Sequence, residues 1–390
     1  MTKVTRLDSL DLLRGIAAFL VLSGHLRSYI FKSYNELMQV SLLDQAFYFI
    51  TGLGHQSVII FFALSGFLVG GRTLSDILNR RFSWLHYFCR RLTRLWIVII
   101  PALILTLIFD KVGIQLTHGV GYYGQYYGIY SSGPQDLAGI DHSLLSFLGN
   151  LVFLQTIYVP TFGSNGPLWS LANEFWYYVI FPLAFWVGFG RPTGLVRMAM
   201  TCILLLIIIV LPIWLLEGGI IWVAGAAAAW WTGREKFAEI LKHLTTRIAT
   251  LLLLFTALVL TKIWPPEIGD LELGTAIAFA LPVIANLPRL GDLNSTLARA
   301  SSEISYTLYL THFPLLTFIV MIGFAPGRMP PGPFAAVLYT TLLLVAIIWA
   351  AVVWWCFERN TNLIYSLISS TLLAGTKARN KNRIMRKAVG

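Results

Sequence analysis

The sequence is poor in charged residues. Asp, Glu, Lys and Arg make up 12% of the 390 residues and 57% are hydrophobic, whereas soluble domains carry about 25% charged residues. This balance, with a mean hydropathy of +0.71, excludes a soluble globular protein. Apolar runs long enough to cross a bilayer recur along the whole chain, which indicates a polytopic α-helical membrane protein.

Cysteine is also scarce. Cys89, Cys202 and Cys356 are odd in number and widely spaced, so the sequence predicts neither a disulfide framework nor a metal site. No internal repeat of the kind that marks many transporters is visible. The chemistry must therefore be sought in polar residues within the apolar runs.

The hydropathy pattern predicts an all-α fold, a transmembrane helix bundle of about ten spans. The first apolar run lacks a small-residue cleavage site, so we interpret it as a retained span rather than a signal peptide. We assign 1–358 to the transmembrane domain, with an outer loop at 111–167, and 359–390 to a basic tail that is too short for a further folded domain. The predicted spans cover 10–29, 47–69, 92–110, 168–189, 197–216, 219–232, 248–263, 273–288, 304–324 and 334–357.

The positive charges behind the net charge of +11 are distributed as the predicted membrane topology requires. With a cytosolic N-terminus, most of the 29 lysines and arginines fall on the cytosolic side, which is the positive-inside rule. An even number of spans returns the C-terminus to the cytosol, where the basic run KARNKNRIMRK is expected to contact anionic membrane lipids. The basic balance therefore indicates orientation and no nucleic-acid partner.

Arg14 and His25 lie in the first predicted span, eleven residues apart. On an α-helix this spacing is about 1100° of rotation, so both side chains project from one face, separated by about 16 Å along the axis. A guanidinium deep in a membrane helix is costly, and such groups usually face a protein interior or a wet cavity. The pair predicts a polar path with a charge clamp at one end and proton chemistry by the imidazole at the other.

Three further groups of polar residues have two interpretations each. Arg91 and Arg94 are i,i+3 neighbours and form either a phosphate-binding fork or ordinary positive-inside anchors. Ser65 and Gly66 allow close helix approach; the alternatives are a nucleophile at Ser65 and, at Gly66, backbone that comes close to a ligand. Glu174 is an embedded carboxylate that either orients an imidazole, as in a catalytic triad, or is a hydrogen-bonded structural group.

One histidine and two tyrosines outside the first predicted span also have two possible roles each. His312 is a second imidazole in an apolar run, with a structural or substrate-positioning role. Tyr126 and Tyr127 lie in the glycine-rich stretch GYYGQYYGIYSSGPQD of the outer loop. Such tyrosines either stack on sugar rings or form an interfacial aromatic belt. The short apolar run 145–160 predicts a re-entrant or interfacial helix.

Six motifs carry a resemblance to a known family. They are L-R-G-I-A-A-F-L-V-L-S-G-H at 13–25, F-F-A-L-S-G-F-L at 61–68, R-R-L-T-R-L at 90–95, W-S-L-A-N-E at 169–174, S-Y-T-L-Y-L-T-H-F-P-L at 305–315 and F-E-R at 357–359. In this order they resemble the acyltransferase-3 family of bacterial integral-membrane acyltransferases, over nearly the whole chain. The chain departs from the family pattern at Phe175, where a second acid is common, and at Asn360, where proline is common.

The resemblance implies an O-acyltransferase of the bacterial inner membrane that moves an acyl group, usually acetyl, from cytosolic acyl-CoA to a sugar hydroxyl on the far face. Family acceptors are O-antigen, exopolysaccharide, lipid-linked oligosaccharide or peptidoglycan. Acetyl-CoA is then a donor substrate, and no permanently bound cofactor is expected. Some members carry a fused esterase-like domain, which the short tail is expected to exclude. The histidine matching His25 is taken as catalytic, and the arginines matching Arg14, Arg91 and Arg94 serve acyl-CoA binding or structural support.

These expectations combine into one mechanism, in which His25, oriented by Glu174, takes the proton from the acceptor hydroxyl. The predicted donor site comprises Arg14, Ser65, Gly66, Arg91 and Arg94. The predicted acceptor site comprises Trp169, Tyr126, Tyr127 and His312. Two other readings use the same residues: a transporter or flippase for a lipid-linked sugar, and an acyltransferase for a small hydrophobic acceptor such as a macrolide.

Overall fold

A computed structural model describes residues 8–371, except 127, 131, 134–138, 242 and 289–290. The described residues form an α-helical bundle whose only β contacts are isolated bridges, so the predicted all-α class is confirmed. The α-helices are α1 (Asp8–Ile30), α2 (Leu42–Thr51), α3 (Gly54–Ser65), α4 (Gly71–Leu78), α5 (Trp84–Thr117), α6 (Leu144–Leu151), α7 (Trp169–Phe189), α8 (Gly194–Val210), α9 (Ile213–Thr232), α10 (Glu235–Ile240), α11 (Leu244–Leu260), α12 (Pro266–Ala285), α13 (Asp292–Gly323) and α14 (Pro333–Cys356).

In the part of the chain that the structure describes, seven helical segments are long and apolar enough to cross a membrane. They contain α1, α2 to α4 as one segment, α5, α9, α12, α13 and α14. Each of the ten predicted spans coincides with a helix, but α8 and α11 have only 17 residues and α7 is not among the seven. The multi-pass character is therefore confirmed, and the count of ten stays a prediction.

The helices α1 and α13 lie side by side and run in the same direction. Gly15 packs against Ser301 so closely that a Cβ at Gly15 would overlap the serine side chain. Farther along both helices, His25 contacts His312. Consecutive spans run in opposite directions, so the seven helices alone would make α13 the sixth span and antiparallel to α1. The parallel packing favours the ten-span count, in which α13 is the ninth.

The two ends of the bundle can be named from α1: the arginine end, where Arg14 lies, and the histidine end, where His25 lies. The chain turns back after α1, because Gly24 packs against the carbonyl of Thr51 just before α3 begins. Helix α7 finishes at the arginine end, where Trp186 packs against Trp84 at the start of α5. With these contacts, each group of residues described below can be assigned to the arginine end or to the histidine end.

A π-helical turn, Gly66–Gly70, joins α3 to α4. Its glycines bring α9 unusually close: a Cβ at Gly66 would overlap the backbone carbonyl of Trp222, and one at Gly71 would overlap Ala229. The structure thus decides between the two interpretations of Gly66. It packs against the α9 backbone and does not line the arginine-rich cavity described below, which favours helix packing over the predicted place of Gly66 in a donor site.

We expect Gly66→Ala to destabilise the bundle, because the added methyl must displace a backbone carbonyl that cannot rotate away. Overpacking of this kind costs about 1–3 kcal/mol. The matched control is Gly188→Ala in α7, where an added Cβ meets nothing within 4 Å and helix propensity favours alanine. Thermal unfolding of the purified proteins in detergent should show a lower Tm for Gly66→Ala only; equal Tm values would contradict the close packing.

The outer loop folds back into the bundle at the histidine end. Asp110, fully buried near the end of α5, accepts hydrogen bonds from the Ser164 hydroxyl (2.6 Å) and from His142 Nε2 (2.9 Å). Asn165, also fully buried, donates to the carbonyl of Leu310 at 2.9 Å. That carbonyl lacks its usual helical partner because residue 314 is proline. The run predicted as a re-entrant or interfacial helix contains only the short α6, followed by turns.

Candidate active site

A cavity of about 370 Å³ opens at the arginine end of the bundle. Five predicted site residues line it, although they come from four different helices: Arg14, Ser65, Arg91, Arg94 and Glu174. The other lining residues are Val58, Phe61, Phe62, Leu64, Leu68, Val69, Arg72, Arg90, Leu95, Ser170, Leu171, Tyr178, Ser305, Tyr306, Tyr309, Thr361, Asn362 and Tyr365. Its volume lies within the range of about 300–1,000 Å³ that is usual for small-molecule sites.

Positive charge dominates this cavity. Five arginines and one glutamate line it, and within the described residues no carboxylate lies within the 4.0 Å salt-bridge limit of Arg14, Arg91 or Arg94. Their guanidiniums contact aromatic rings instead, Arg91 over Tyr178 (5.7 Å) and Arg94 over Tyr306 (5.9 Å). Half-buried guanidiniums without a bound counter-charge form a site for an anion, and their planar forks suit phosphate.

Glu174 belongs to a hydrogen-bond network inside the same cavity. Its Oε1 accepts from the Ser65 hydroxyl at 3.1 Å and from the Tyr178 hydroxyl. The indole of Trp222 donates in turn to Ser65 Oγ at 3.2 Å. The carboxylate is therefore held at the arginine-lined cavity. The structure does not bring Glu174 to His25: the carboxylate is bound to Ser65 and Tyr178, and Nδ1 of the imidazole lies against His312.

His25 and His312 form a nearly coplanar pair, joined edge to edge through ring nitrogens, beyond the deep end of the cavity. Their rings lie 5.2 Å apart between centroids, at 9° to one another, and His25 Nδ1 is 2.9 Å from His312 Nε2. The edge of Phe313 closes another side of His25 at 4.9 Å. Tyr309, which lines the cavity, has its ring 6.4 Å from that of His312. One layer of aromatic side chains thus separates the cavity from the imidazoles.

Comparison with known proteins agrees with this geometry. A family model described as an acyltransferase domain matches residues 7–357. The chain belongs to the acyltransferase-3 family. No curated protein and no solved structure matches it. Family membership and the seven apolar helices together identify a multi-pass membrane acyltransferase.

Trp169, assigned by sequence to the acceptor site, lies in a polar and aromatic cluster of this acyltransferase near the histidine end. The exposed His55 stacks on its indole at 6.4 Å between centroids, and His55 Nε2 lies 2.7 Å from a carboxylate oxygen of Asp270. Gly54, the residue before His55, packs against Val21 of α1, about one turn from His25. The cluster is therefore close to the level of the imidazole pair.

The tyrosines of the outer loop differ in exposure. Tyr122 and Tyr130 are buried, and the ring of Tyr130 meets Tyr29 of α1 edge-on at 5.2 Å. Burial raises the pKa of Tyr130 to about 12, so its hydroxyl stays protonated at neutral pH. Tyr126 is half-buried and packs against Tyr130 at 6.0 Å. Tyr127 lies outside the described residues.

Several cavity residues of the acyltransferase were not singled out by sequence. Arg72 and Arg90 are exposed lining residues that were counted only as positive-inside charges. Ser170 and Tyr309 join α7 to α13 through a hydrogen bond of 2.6 Å between their hydroxyls. Both lie inside the W-S-L-A-N-E and S-Y-T-L-Y-L motifs, so the motifs carried the signal. Tyr365 follows α14 and packs against Arg90 at 5.2 Å.

Proposed function

We propose that this membrane acyltransferase moves an acyl group, acetyl in the simplest case, from acyl-CoA to a hydroxyl of a cell-surface or lipid-linked carbohydrate such as O-antigen or exopolysaccharide. The acceptor is at the outer face of a bacterial inner membrane. One observation carries the proposal: an arginine-lined cavity lies at one end of α1 and an imidazole pair lies toward the other, one layer of aromatic side chains beyond the cavity. Donor binding and proton transfer are thus separated along one helix.

The donor side of the proposal rests on charge. The phosphate groups of CoA are the anions that five guanidiniums suit, and two of these, Arg72 and Arg90, are exposed at the mouth. The deep end is lined by the apolar or hydroxylated side chains of Phe61, Ser170 and Tyr309. The lining thus changes from charged at the mouth to uncharged at the deep end. CoA changes in the same order, from its phosphate groups to an extended thiol arm that carries a small acyl group. Glu174, fixed by Ser65 and Tyr178, offsets part of the positive charge.

The transfer step assigns the proton chemistry to His25. The imidazole takes the proton of the acceptor hydroxyl while that oxygen attacks the thioester carbonyl. The carbon–sulfur bond breaks, and the CoA thiolate leaves with the proton that His25 carries. Tyr309, with Phe61 packed on it at 5.9 Å, stands between the cavity and His312, so the acyl end of the donor must pass it to react.

The acceptor side of the proposal is the cluster of Trp169, His55 and Asp270. An indole face with a carboxylate and an imidazole beside it suits the apolar faces and hydroxyls of a sugar. We expect Trp169→Ala to raise KM for the acceptor about 3- to 10-fold, because an aromatic platform contributes about 0.5–1.5 kcal/mol beyond its area. The measurement is acyl transfer at varied acceptor and saturating acetyl-CoA.

Trp214→Ala is the matched control for that prediction. Trp214 is 38% exposed at the start of α9 and lies outside the cluster, so its removal should leave KM for the acceptor unchanged. Equal KM values for wild type and Trp169→Ala would remove the cluster from acceptor binding.

The experiment that tests the whole proposal compares surface glycans from a strain that expresses the protein with those from its deletion strain. Mass spectrometry should show the loss of one acyl unit per acceptor residue on deletion and its return with the wild-type gene. In parallel, membranes containing the protein should release free CoA from acetyl-CoA only when acceptor is present. Unchanged glycan masses together with no acceptor-dependent CoA release would refute it.

A further inference from the structure

His312 is fully buried in the middle of α13, directly against His25. Both of its ring nitrogens are engaged: Nδ1 lies 2.7 Å from the backbone carbonyl oxygen of Leu308, and Nε2 lies 2.9 Å from His25 Nδ1. The ring therefore sits between a fixed acceptor and the imidazole to which the proposed function assigns the chemistry.

The direction of these hydrogen bonds follows from the carbonyl. A carbonyl oxygen only accepts, so the proton of neutral His312 must be on Nδ1, which donates to Leu308. His312 Nε2 is then unprotonated and can only accept. The proton that joins the two rings must belong to His25 Nδ1. In a neutral imidazole one nitrogen is protonated, so Nε2 of His25 keeps its lone pair.

The position of the His25 ring is also fixed by its surroundings. It lies edge to edge with His312 and nearly perpendicular to the ring of Phe313, while its own backbone carbonyl accepts the Ser28 hydroxyl at 2.7 Å. The shared proton is lost if the ring turns over, because Cδ2 then takes the place of Nδ1, and it is also lost in the other tautomer, because His312 Nε2 then faces a second lone pair. One ring orientation and one tautomer are thus selected together.

We propose that His312 is a positioning residue that holds His25 as the Nδ1–H tautomer, so that Nε2 is the nitrogen that accepts the proton from the acceptor hydroxyl. The proposal rests on the proposed function for its chemistry, although the tautomer can be measured without it. His312 takes the place that a carboxylate has in a Ser-His-Asp triad, with a neutral acceptor instead of a charged one. It touches neither substrate.

The tautomer is tested first, by nitrogen NMR on protein labelled with ¹⁵N-histidine. The signals of His25 are those lost from the spectrum of His25→Ala. We expect wild-type His25 to show a protonated Nδ1 and an unprotonated Nε2, and His312→Leu to shift it toward the opposite tautomer. A protonated Nε2 in the wild-type protein would overturn the proposal, whether or not the protein transfers acyl groups.

Kinetics provide the second arm, with acetyl-CoA as donor and deletion-strain membranes as acceptor. We expect His312→Leu to lower kcat about 10²-fold, the lower end of what general-base catalysis contributes, with KM for acetyl-CoA within about twofold of wild type. His312→Gln should recover kcat to within about tenfold of wild type. Its amide NH₂ can donate to Leu308 while its oxygen accepts from His25 Nδ1.

Tyr29→Phe is the matched control. It removes another hydrogen bond between α1 and α13, from Tyr29 to Thr317 at 2.8 Å, one turn beyond the imidazoles. If His312 served only to clamp these two helices, Tyr29→Phe would lower kcat as much as His312→Leu, and His312→Gln would not recover activity. Either result, or full activity of His312→Leu, would overturn the proposal. Absence of acetyl-CoA consumption by wild type would instead count against the proposed function.

Discussion

His25→Ala is expected to abolish acyl transfer while leaving the helix bundle and the arginine-lined cavity intact. The side chain supplies the base, and a positioned general base is worth about 10²–10⁴-fold in rate. The neighbouring His312 is a poor substitute, because it is fully buried and its Nδ1 is bound to the carbonyl of Leu308. The measurement is the initial rate of CoA release from acetyl-CoA in the presence of acceptor membranes.

The control for this prediction is His86→Ala. His86 is an exposed histidine near the start of α5, and its loss should leave the rate unchanged. Acetyl-CoA should still bind to His25→Ala, because the guanidiniums lie at the other end of α1. A rate for His25→Ala within about tenfold of wild type, below the contribution expected of a base, would transfer the chemistry to another group.

The second large effect is expected from removing two cavity guanidiniums together. Arg91→Ala/Arg94→Ala should raise KM for acetyl-CoA by about 10²-fold or more with little change in kcat. Hydrogen bonds to charged groups are worth about 1.5–3 kcal/mol each. Among the described residues neither side chain forms a salt bridge, although Glu174 and Glu358 interact with Arg94 at longer range. The measurement is the dependence of the initial rate on acetyl-CoA concentration.

A second double variant tests whether the loss of positive charge alone, rather than the loss of contacts with acetyl-CoA, raises KM for acetyl-CoA. Arg81 and Arg197 are exposed, lie outside the cavity, and belong to loop or helix starts at the same end of the bundle. Arg81→Ala/Arg197→Ala removes the same number of cations, so it should leave KM for acetyl-CoA near the wild-type value. Comparable increases in both double variants would return Arg91 and Arg94 to a role in membrane orientation.

Much of the donor cavity could be predicted from sequence, because local rules applied to its residues. The i,i+3 spacing of Arg91 and Arg94 puts them on one face. A charged side chain in an apolar run, such as Arg14 or Glu174, must face the bundle interior. The structure brings all four to one cavity. The helical class followed from hydropathy in the same way.

The pairing of the helices could not be predicted from local rules. Which residue meets His25 depends on α13 lying parallel to α1, a contact between distant parts of the chain. Gly66 was ambiguous for the same reason, since small residues serve ligand and helix approach equally well until the neighbour is known. Here the neighbour is the α9 backbone.

The sequence could not place Glu174 relative to His25, because it does not give the depth of a helix within the bundle. Sequence gives the distance of a residue from the start of its helix, but not the level at which that helix begins. The segment before α7 enters the bundle, where the carbonyl of Pro167 accepts from the Tyr309 hydroxyl at 3.2 Å. Since Tyr309 is about one turn from His312 toward the arginine end, α7 begins nearer the arginine end than the imidazoles are. Glu174, further along α7, therefore lies still nearer the arginine end.

The parallel pair of α1 and α13 also has a consequence for synthesis. His25 and its partner are 287 residues apart in the chain. At about 5–20 residues per second, a ribosome takes roughly 15–60 s to travel from one to the other. During that time the first helix waits in the lipid without the neighbour that holds its histidine. In the proposed mechanism, the nascent acyltransferase therefore has no oriented base, and cannot consume acyl-CoA, until α13 has been synthesised.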